Sequence, residues 1–209
     1  MKILIADDFP LIRQGVIQTL RNEGCSAFFH EAGDGRETLE FIRDNDYDVV
    51  LLDISLPGRG GIDILKQIKA MRPRTPVLIL TMYPEDQYAV RAMKAGAAGY
   101  LSKSQAAAEL VEAVNRVSSG KKFVSEKVAE NLADAIEIND DQPLHKRLSD
   151  REYEVFCAIA SGKSVSEIAD KMSLSVKTIS TYRSRILDKM KFKNNAAITH
   201  YAIKNELVQ

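Results

Sequence analysis

The first 120 residues alternate short apolar runs with helix-patterned segments, and this alternation constrains the fold more than any other feature. The runs are KILIA (2–6), AFFHEA (27–32), DVVLLD (48–53), VLILT (77–81) and GYL (99–101). Between them, residues 10–22, 35–45, 62–71, 86–95 and 106–118 repeat apolar side chains at intervals of three and four, the period of an amphipathic helix. Strands that alternate with helices form βαβ units around a parallel sheet. VVLL and VLIL lack polar alternation, which suits strands covered by helices on both faces. The predicted fold is therefore α/β, a doubly wound five-stranded parallel sheet.

Beyond Gly120 the pattern changes. SEKVAENLADAIEI (125–138) reads as one further helix, and NDDQP (139–143) as an exposed linker. From Leu144 onward no strand-like run occurs, and four helical patterns follow near 149–161, 164–172, 176–190 and 195–205. The predicted domains are 1–120, a helical linker with an acidic end at 121–143, and an all-α four-helix domain at 144–209. The charge follows this division. The chain is neutral, but residues 1–143 hold 17 Lys+Arg against 22 Asp+Glu, net −5, whereas residues 144–209 hold 12 against 7, net +5. Only the second part is suited to a phosphate backbone.

Other classes are disfavoured. No apolar run reaches the ~20 residues of a bilayer span, and MKILIADD lacks the cationic start and cleavage site of a secretory signal, so no membrane contact and a cytoplasmic location are expected. Cys25 and Cys157 stand far apart, and His30, His145 and His200 form no ligand-spaced cluster, so neither a disulfide framework nor a zinc site is expected.

Asp7 and Asp8 end the first strand and Asp53 ends the third. In a sheet ordered 2-1-3-4-5 those ends are adjacent at the topological switch point. Three neighbouring carboxylates repel one another and stay ionised only beside a cation; an all-oxygen donor set suits Mg²⁺. Thr81 ends the fourth strand and Lys103 follows the fifth, which brings a hydroxyl and an ammonium to the same edge. Taken singly, Asp8 could cap the helix starting near Pro10, Asp53 a turn, and Lys103 a surface pair. All five at one edge make that bland account improbable.

Asp, Asp, Asp, Thr and Lys at successive strand ends, with GAAGYLSK leading to the lysine, resemble the flavodoxin-like receiver domains of response regulators over about residues 1–120. The resemblance implies Asp53 as phosphoacceptor, self-catalysed phosphotransfer, and Mg²⁺ held by Asp8, Asp53 and the backbone carbonyl of Ser55, with Asp7 acting through water. Thr81 and Lys103 would bind the phosphoryl group, and Tyr100 would swing from exposed to buried. An ordinary half-buried strand tyrosine is the alternative for Tyr100. Phosphatases of the haloacid-dehalogenase type also use an aspartyl nucleophile, but they carry a second Asp two residues later; here that position is Ser55. A phosphoprotein switch is favoured over a phosphatase.

Two positions depart from the commonest receiver pattern. Ser104 follows Lys103 where many receivers have a cis proline, and a non-proline cis bond costs about 2.5 to 4 kcal/mol, which places that geometry in doubt. Met82 follows Thr81 where a smaller residue is common; with Ser55 and Tyr83 it is expected to set the phosphate lifetime.

SVSEIADKMSLSVKTISTYRSRILDKM reads as helix, tight turn, helix, with Ser175 as N-cap of the second helix. On that helix Ile179, Tyr182, Ile186 and Met190 should face inward. Lys177, Ser180, Thr181, Ser184, Arg185 and Asp188 form the opposite stripe, suited to a major groove. A basic stripe by itself is more often a solvated face; the turn spacing and the charge change favour DNA. Residues 144–209 closely resemble the LuxR-type domain of NarL/FixJ-subfamily regulators. The resemblance implies that Ser180, Thr181 and Ser184 face bases, that Lys177, Arg183, Arg185 and Lys189 mostly bind phosphates, and that the last helix, with Ala196, Ala197 and Tyr201, forms a dimer.

The expected function is a two-component response regulator and not a turnover enzyme. Its expected partners are a sensor histidine kinase, double-stranded promoter DNA, a second copy of the chain, and RNA polymerase as a further contact. The alternatives are a regulator that binds DNA without phosphorylation, a phosphatase, and an adaptor that uses the basic domain for protein contacts.

Overall fold

A computed structural model of the chain describes residues 1–58, 60–83, 85–134 and 143–208. The chain divides into two compact units, Met1–Asp134 and Ala135–Gln209. The end of the helix predicted over 125–138, residues 135–138, and most of the segment read as an acidic linker, residues 139–142, lie outside the described residues.

The first unit contains β1 (Lys2–Ala6), α1 (Pro10–Asn22), β2 (Phe28–Ala32), α2 (Gly35–Asp44), β3 (Val49–Leu52), α3 (Gly61–Met71), β4 (Val77–Thr81), α4 (Glu85–Lys94), β5 (Gly99–Ser102), α5 (Ala106–Ser118) and α6 (Glu126–Asp134). The five strands are all parallel in the order β2-β1-β3-β4-β5, as expected. Every residue of β3 and β4 is buried, which accounts for their unbroken apolar sequence. One face packs Ile3, Ile5, Leu51, Leu78 and Leu80 against Val16, Ile17 and Leu20 of α1 and Leu110, Val114 and Val117 of α5. Ile42, Ile64, Leu65 and Ile68 fill a second layer from α2 and α3.

The stretch after α5 does more than lead away from the sheet. Phe123 forms a parallel bridge with Gly99, accepting the Tyr100 N–H at 3.0 Å and donating to the Ala98 carbonyl at 3.0 Å. A Cβ at Gly99 would lie 2.6 Å from the Phe123 carbonyl oxygen, so only glycine admits this approach. The helix that follows, α6, packs on α4: Ser125 donates to Glu85 at 2.5 Å, Lys127 pairs with Asp86 at 2.9 Å, and Val128 is buried. Such contacts, some 40 residues apart, leave no trace in local periodicity. No cis peptide bond occurs among the described residues, so Lys103–Ser104 is trans.

The second unit opens with a 3-10 turn at Leu144–Arg147, followed by α7 (Asp150–Ala160), α8 (Val165–Met172), α9 (Val176–Met190) and α10 (Asn195–Lys204). Ser149, Ser164, Ser175 and Asn194 each cap the following helix by accepting a backbone N–H. Between α8 and α9 the chain turns through Ser173 in the left-handed region at φ 52°. Tyr153, Phe156, Ile168, Ile179, Ile186, Met190 and Ile198 form the core of this unit. Cys25 and Cys157 are free thiols. No helix among the described residues is long and apolar enough to cross a membrane.

Candidate functional site

The register places Ala6 beside Leu52, so the residues that follow them, Asp7 and Asp53, leave the sheet together. Asp53 N–H donates to the Ala6 carbonyl at 2.9 Å and Asp7 N–H to the Ala32 carbonyl at 3.1 Å, so each acid is set by a ladder bond just past its strand. Asp7 and Asp53 are buried, and each of Asp7, Asp8 and Asp53 offers a carboxylate oxygen within 4.8 Å of the others. Lys103, itself nearly buried, reaches both: its Nζ lies 2.6 Å from Asp7 Oδ2 and 2.6 Å from Asp53 Oδ2. Burial pulls the ammonium toward neutrality, but the charge and hydrogen bond of Asp53, joined by those of Asp7, hold it above its ordinary value.

Asp8 has no such partner. Burial, then the charge of Asp7 and that of Asp53, raise its carboxyl above the usual range. Its buried Oδ1 finds no hydrogen-bond partner in the structure. It does not cap α1, whose N-cap is Phe9 with no side-chain bond. An orphaned buried carboxylate oxygen within ligand distance of two more carboxylates fits a hard divalent cation such as Mg²⁺. Ser55 N–H donates to Asp53 Oδ1 at 3.0 Å, which fixes the carboxylate's rotation.

On the other side Thr81 is fully buried, and its Oγ1 likewise lacks a partner in the structure. Its carbonyl accepts the Lys103 N–H at 2.7 Å, tying the hydroxyl and ammonium strands together. Tyr100 is fully buried, with its hydroxyl donating to the Tyr83 carbonyl at 2.9 Å. Burial, with lesser contributions from Asp53 and Glu85, raises its phenol well above the ordinary value. Tyr100 is thus more deeply buried than the ordinary half-buried strand tyrosine considered as the alternative, and its inward position is present without a phosphoryl group. Met82 is 69% exposed.

In the second unit Lys177, Ser180, Thr181, Ser184, Arg185 and Asp188 are all exposed along α9, and Ile179, Ile186 and Met190 are buried. Tyr182, expected inward, is half-buried. Two expected phosphate contacts are engaged within the unit. Arg183 Nε donates to Asn195 Oδ1 at 2.6 Å, and Lys189 Nζ to Glu152 Oε2 at 2.6 Å. Sequence reasoning missed Glu152, a buried carboxylate at the third position of α7; its place after Ser149 is the signature of a capping box, and that bond is present.

Burial pushes the Glu152 carboxyl up, but the bonds from Lys189 and Ser149 outweigh it and hold it below its ordinary value of 4.5. A carboxyl depressed on folding contributes stability that is complete above its unfolded value and is lost as pH falls through the folded one. Glu152→Gln is therefore expected to lower stability by about 1.5 to 3 kcal/mol at neutral pH, the range of hydrogen bonds to charged groups. The difference should shrink in acid, below the ordinary carboxylate range. Urea melts followed by circular dichroism at the two pH values check this; an undiminished difference in acid contradicts it.

The chain thus carries a parallel sheet with three carboxylates, a lysine and a threonine at its switch point, followed in sequence by a helix-turn-helix unit. Comparison with known proteins agrees. Residues 3–115 match the response regulator receiver domain, and residues 146–202 match the bacterial regulatory proteins of the luxR family. The chain belongs to the response regulators that combine these two domains, the NarL/FixJ type. It is 33% identical over 208 residues to the response regulator UvrY of Escherichia coli, covering 99% of this chain and 95% of that protein. With the response regulator GacA of Pseudomonas aeruginosa it is 32% identical, covering 100% and 98%. A structure of the RcsB response regulator of Salmonella typhimurium is similar with TM-score 0.72 and 27% identity, over 98% of each chain. RcsB bound to promoter rprA in the presence of phosphomimetic BeF3- is similar with TM-score 0.66 and 27% identity, over 96% of this chain and 98% of that one.

Proposed function

We propose that the chain is a transcription regulator that accepts a phosphoryl group on Asp53 from a sensor histidine kinase and, as a dimer, binds promoter DNA. The observation that carries this is the placement of Asp53 Oδ2 2.6 Å from Lys103 Nζ, beside a buried Thr81 hydroxyl and an Asp8 oxygen that both lack partners in the structure. The domains of the reading are a receiver (1–120), a linker (121–143) whose α6 docks on α4, and a DNA-binding domain (144–209). The setting is cytoplasmic, with RNA polymerase as a further partner.

An oxygen of the Asp53 carboxylate attacks phosphorus in line; the new O–P bond forms as the P–N bond to the donor imidazole breaks, and the bond electrons leave with the imidazole. Asp8, Asp53 and the Ser55 carbonyl would hold Mg²⁺, with Asp7 acting through water. When bound, the ion supplies charge neutralisation at the phosphoryl oxygens. Ser55 N–H keeps one Asp53 oxygen turned, and Lys103 withdraws charge from the other. The receiver thus catalyses its own phosphorylation by positioning, and Ser55 offers no carboxylic acid to drive turnover.

Shifting a two-state equilibrium from about 1:99 to 99:1 requires roughly 5.5 kcal/mol of differential binding, and a hydrogen bond to a charged group contributes about 1.5 to 3 kcal/mol. Lys103 exchanges existing bonds to Asp53 and Asp7 for bonds to the phosphoryl group, so its net gain is the smaller. Thr81 starts with no partner in the structure and gains a full bond. Thr81 is therefore the larger contributor of the two, supplying about 1.5 to 3 of the roughly 5.5 kcal/mol, with Tyr100 behind it.

On α9, Ser180, Thr181 and Ser184 face bases, and Lys177 and Arg185 bind phosphates. Arg183 and Lys189, held through one donor each by Asn195 and Glu152, join them with their remaining N–H donors. Asp53→Asn is expected to abolish incorporation of phosphate from acetyl phosphate and Mg²⁺, read by intact-protein mass. Phosphate incorporation undiminished in that variant contradicts the assignment.

A further inference from the structure

Between β1 and α1 the chain carries two of the acids of the site on residues 7–9, where the Asp7 N–H makes a last ladder bond to the Ala32 carbonyl before the chain leaves the sheet. Beyond that bond its geometry has to be fixed by other elements. Arg13, on the first turns of α1 and with its side chain only 15% exposed, provides that fixing. Its Nη1 donates to the backbone carbonyl of Asp7 at 2.7 Å, and its Nε donates to Glu31 Oε2 at 2.9 Å. Glu31 lies on β2, level with Ile5 of β1, and its other oxygen accepts from Gln14 Nε2 at 2.9 Å. The guanidinium is thus held from one side and holds the loop on the other.

The carbonyl it grips belongs to the peptide that joins Asp7 to Asp8. With the Phe9 N–H donating to Asp7 Oδ1 at 2.9 Å, the orientation of that peptide is set at both ends. The direction in which the Asp8 carboxylate leaves the backbone follows from it. We propose that Arg13, secured by Glu31, is a positioning residue that presents the Asp7 and Asp8 carboxylates to the divalent cation. The inference rests on the metal-dependent phosphoacceptor reading above. Arg13 contacts backbone and not the ligand oxygens, so it does not compete with the cation as the Lys103 ammonium does. Planarity matters: one rigid fork serves a carbonyl through Nη1 and a carboxylate through Nε in a fixed relative orientation, which the single rotatable nitrogen of a lysine does not impose.

The test uses the full chain and Mn²⁺ as the probe, with free Mn²⁺ measured by electron paramagnetic resonance. Groups that orient metal ligands are typically worth about 10- to 100-fold in affinity. Arg13→Ala is expected to weaken Mn²⁺ binding by about tenfold or more, Arg13→Lys to recover part of that loss, and Glu31→Gln to weaken binding about threefold. The loss in phosphorylation by acetyl phosphate should be larger at limiting than at saturating Mn²⁺, because the role is in presenting the ligands; an equal loss at both overturns the proposal. Equal Mn²⁺ affinity in Arg13→Ala and the parent overturns the proposal. If Arg13→Ala fails to fold, Glu31→Gln decides, and unchanged affinity there overturns it as well. A parent chain that binds no Mn²⁺ overturns the phosphoacceptor reading itself, a distinct result.

Discussion

Lys103→Met is expected to destabilise the metal-free protein by about 3 to 5 kcal/mol, because it leaves two buried carboxylates without their shared cation. In the structure Lys103 Nζ touches both Asp7 and Asp53 at 2.6 Å, with all three side chains less than a tenth exposed. The same substitution should tighten Mg²⁺ binding, since the divalent ion no longer displaces the pull of a resident ammonium. A ligand that binds only the folded state stabilises it by about 2.7 kcal/mol at 100 times its dissociation constant, and by more as affinity rises. Urea midpoints with a chelator and with Mg²⁺ therefore give opposite results for the variant: a large loss without metal, and a larger recovery with metal than in the parent. Equal metal-free stability, or an equal metal-induced gain, contradicts this account of Lys103. The contrast with Arg13 is informative, because both are cations beside the same acids and their removal moves metal affinity in opposite directions.

The second large effect is at Gly61, the first residue of α3. A Cβ there would lie 2.4 Å from Ile54 Cα and 2.6 Å from the Asp53 carbonyl oxygen. Both atoms are backbone, so no side-chain rotation can relieve the contact. Gly61 N–H also donates to the Ile54 carbonyl at 3.0 Å, which draws the start of α3 against the loop that follows β3. Gly61→Ala is expected to cost about 3 kcal/mol, the upper end of ordinary overpacking, because backbone must move. It should also displace Asp53. A misplacement of about 1 Å typically costs about 100-fold in rate, so phosphorylation by acetyl phosphate should fall by one to two orders of magnitude, about 10- to 100-fold. A parent-like rate in a stably folded Gly61→Ala contradicts the close approach as a determinant of the site.

Gly61 also shows where sequence reading runs out. Pro10 at the first helical position and the apolar period beyond it mark α1 at its observed limits, because both signals are local. Before α3, glycines 58, 60 and 61 look like ordinary loop residues, and a helix starting at Ile62 is the natural reading. Only the approach of another backbone shows why Gly61 belongs to the helix and to the site. The five pocket residues were legible because each ends or follows a strand, and strand ends in a parallel sheet share an edge. Arg13 was not, since its partners Asp7 and Glu31 are a loop carbonyl and a residue of the next strand. Residues 121–134 read as a linker because helix periodicity does not say what a helix packs on; Ser125–Glu85 and Lys127–Asp86 supply that answer. On α9 the 3.6 period separated the buried Ile179, Ile186 and Met190 from the exposed stripe. Periodicity could not show that Arg183 and Lys189 are held by Asn195 and Glu152.

The central claim is that phosphorylation of Asp53 governs DNA binding by the α9 surface. It is tested most directly by selecting duplexes from random sequence with the full chain, with and without acetyl phosphate and Mg²⁺, beside Asp53→Asn. Selected duplexes should bind the parent chain more tightly when the phosphodonor is present, and Asp53→Asn should show no such gain. Phosphodonor-independent binding of equal strength by both proteins would contradict it.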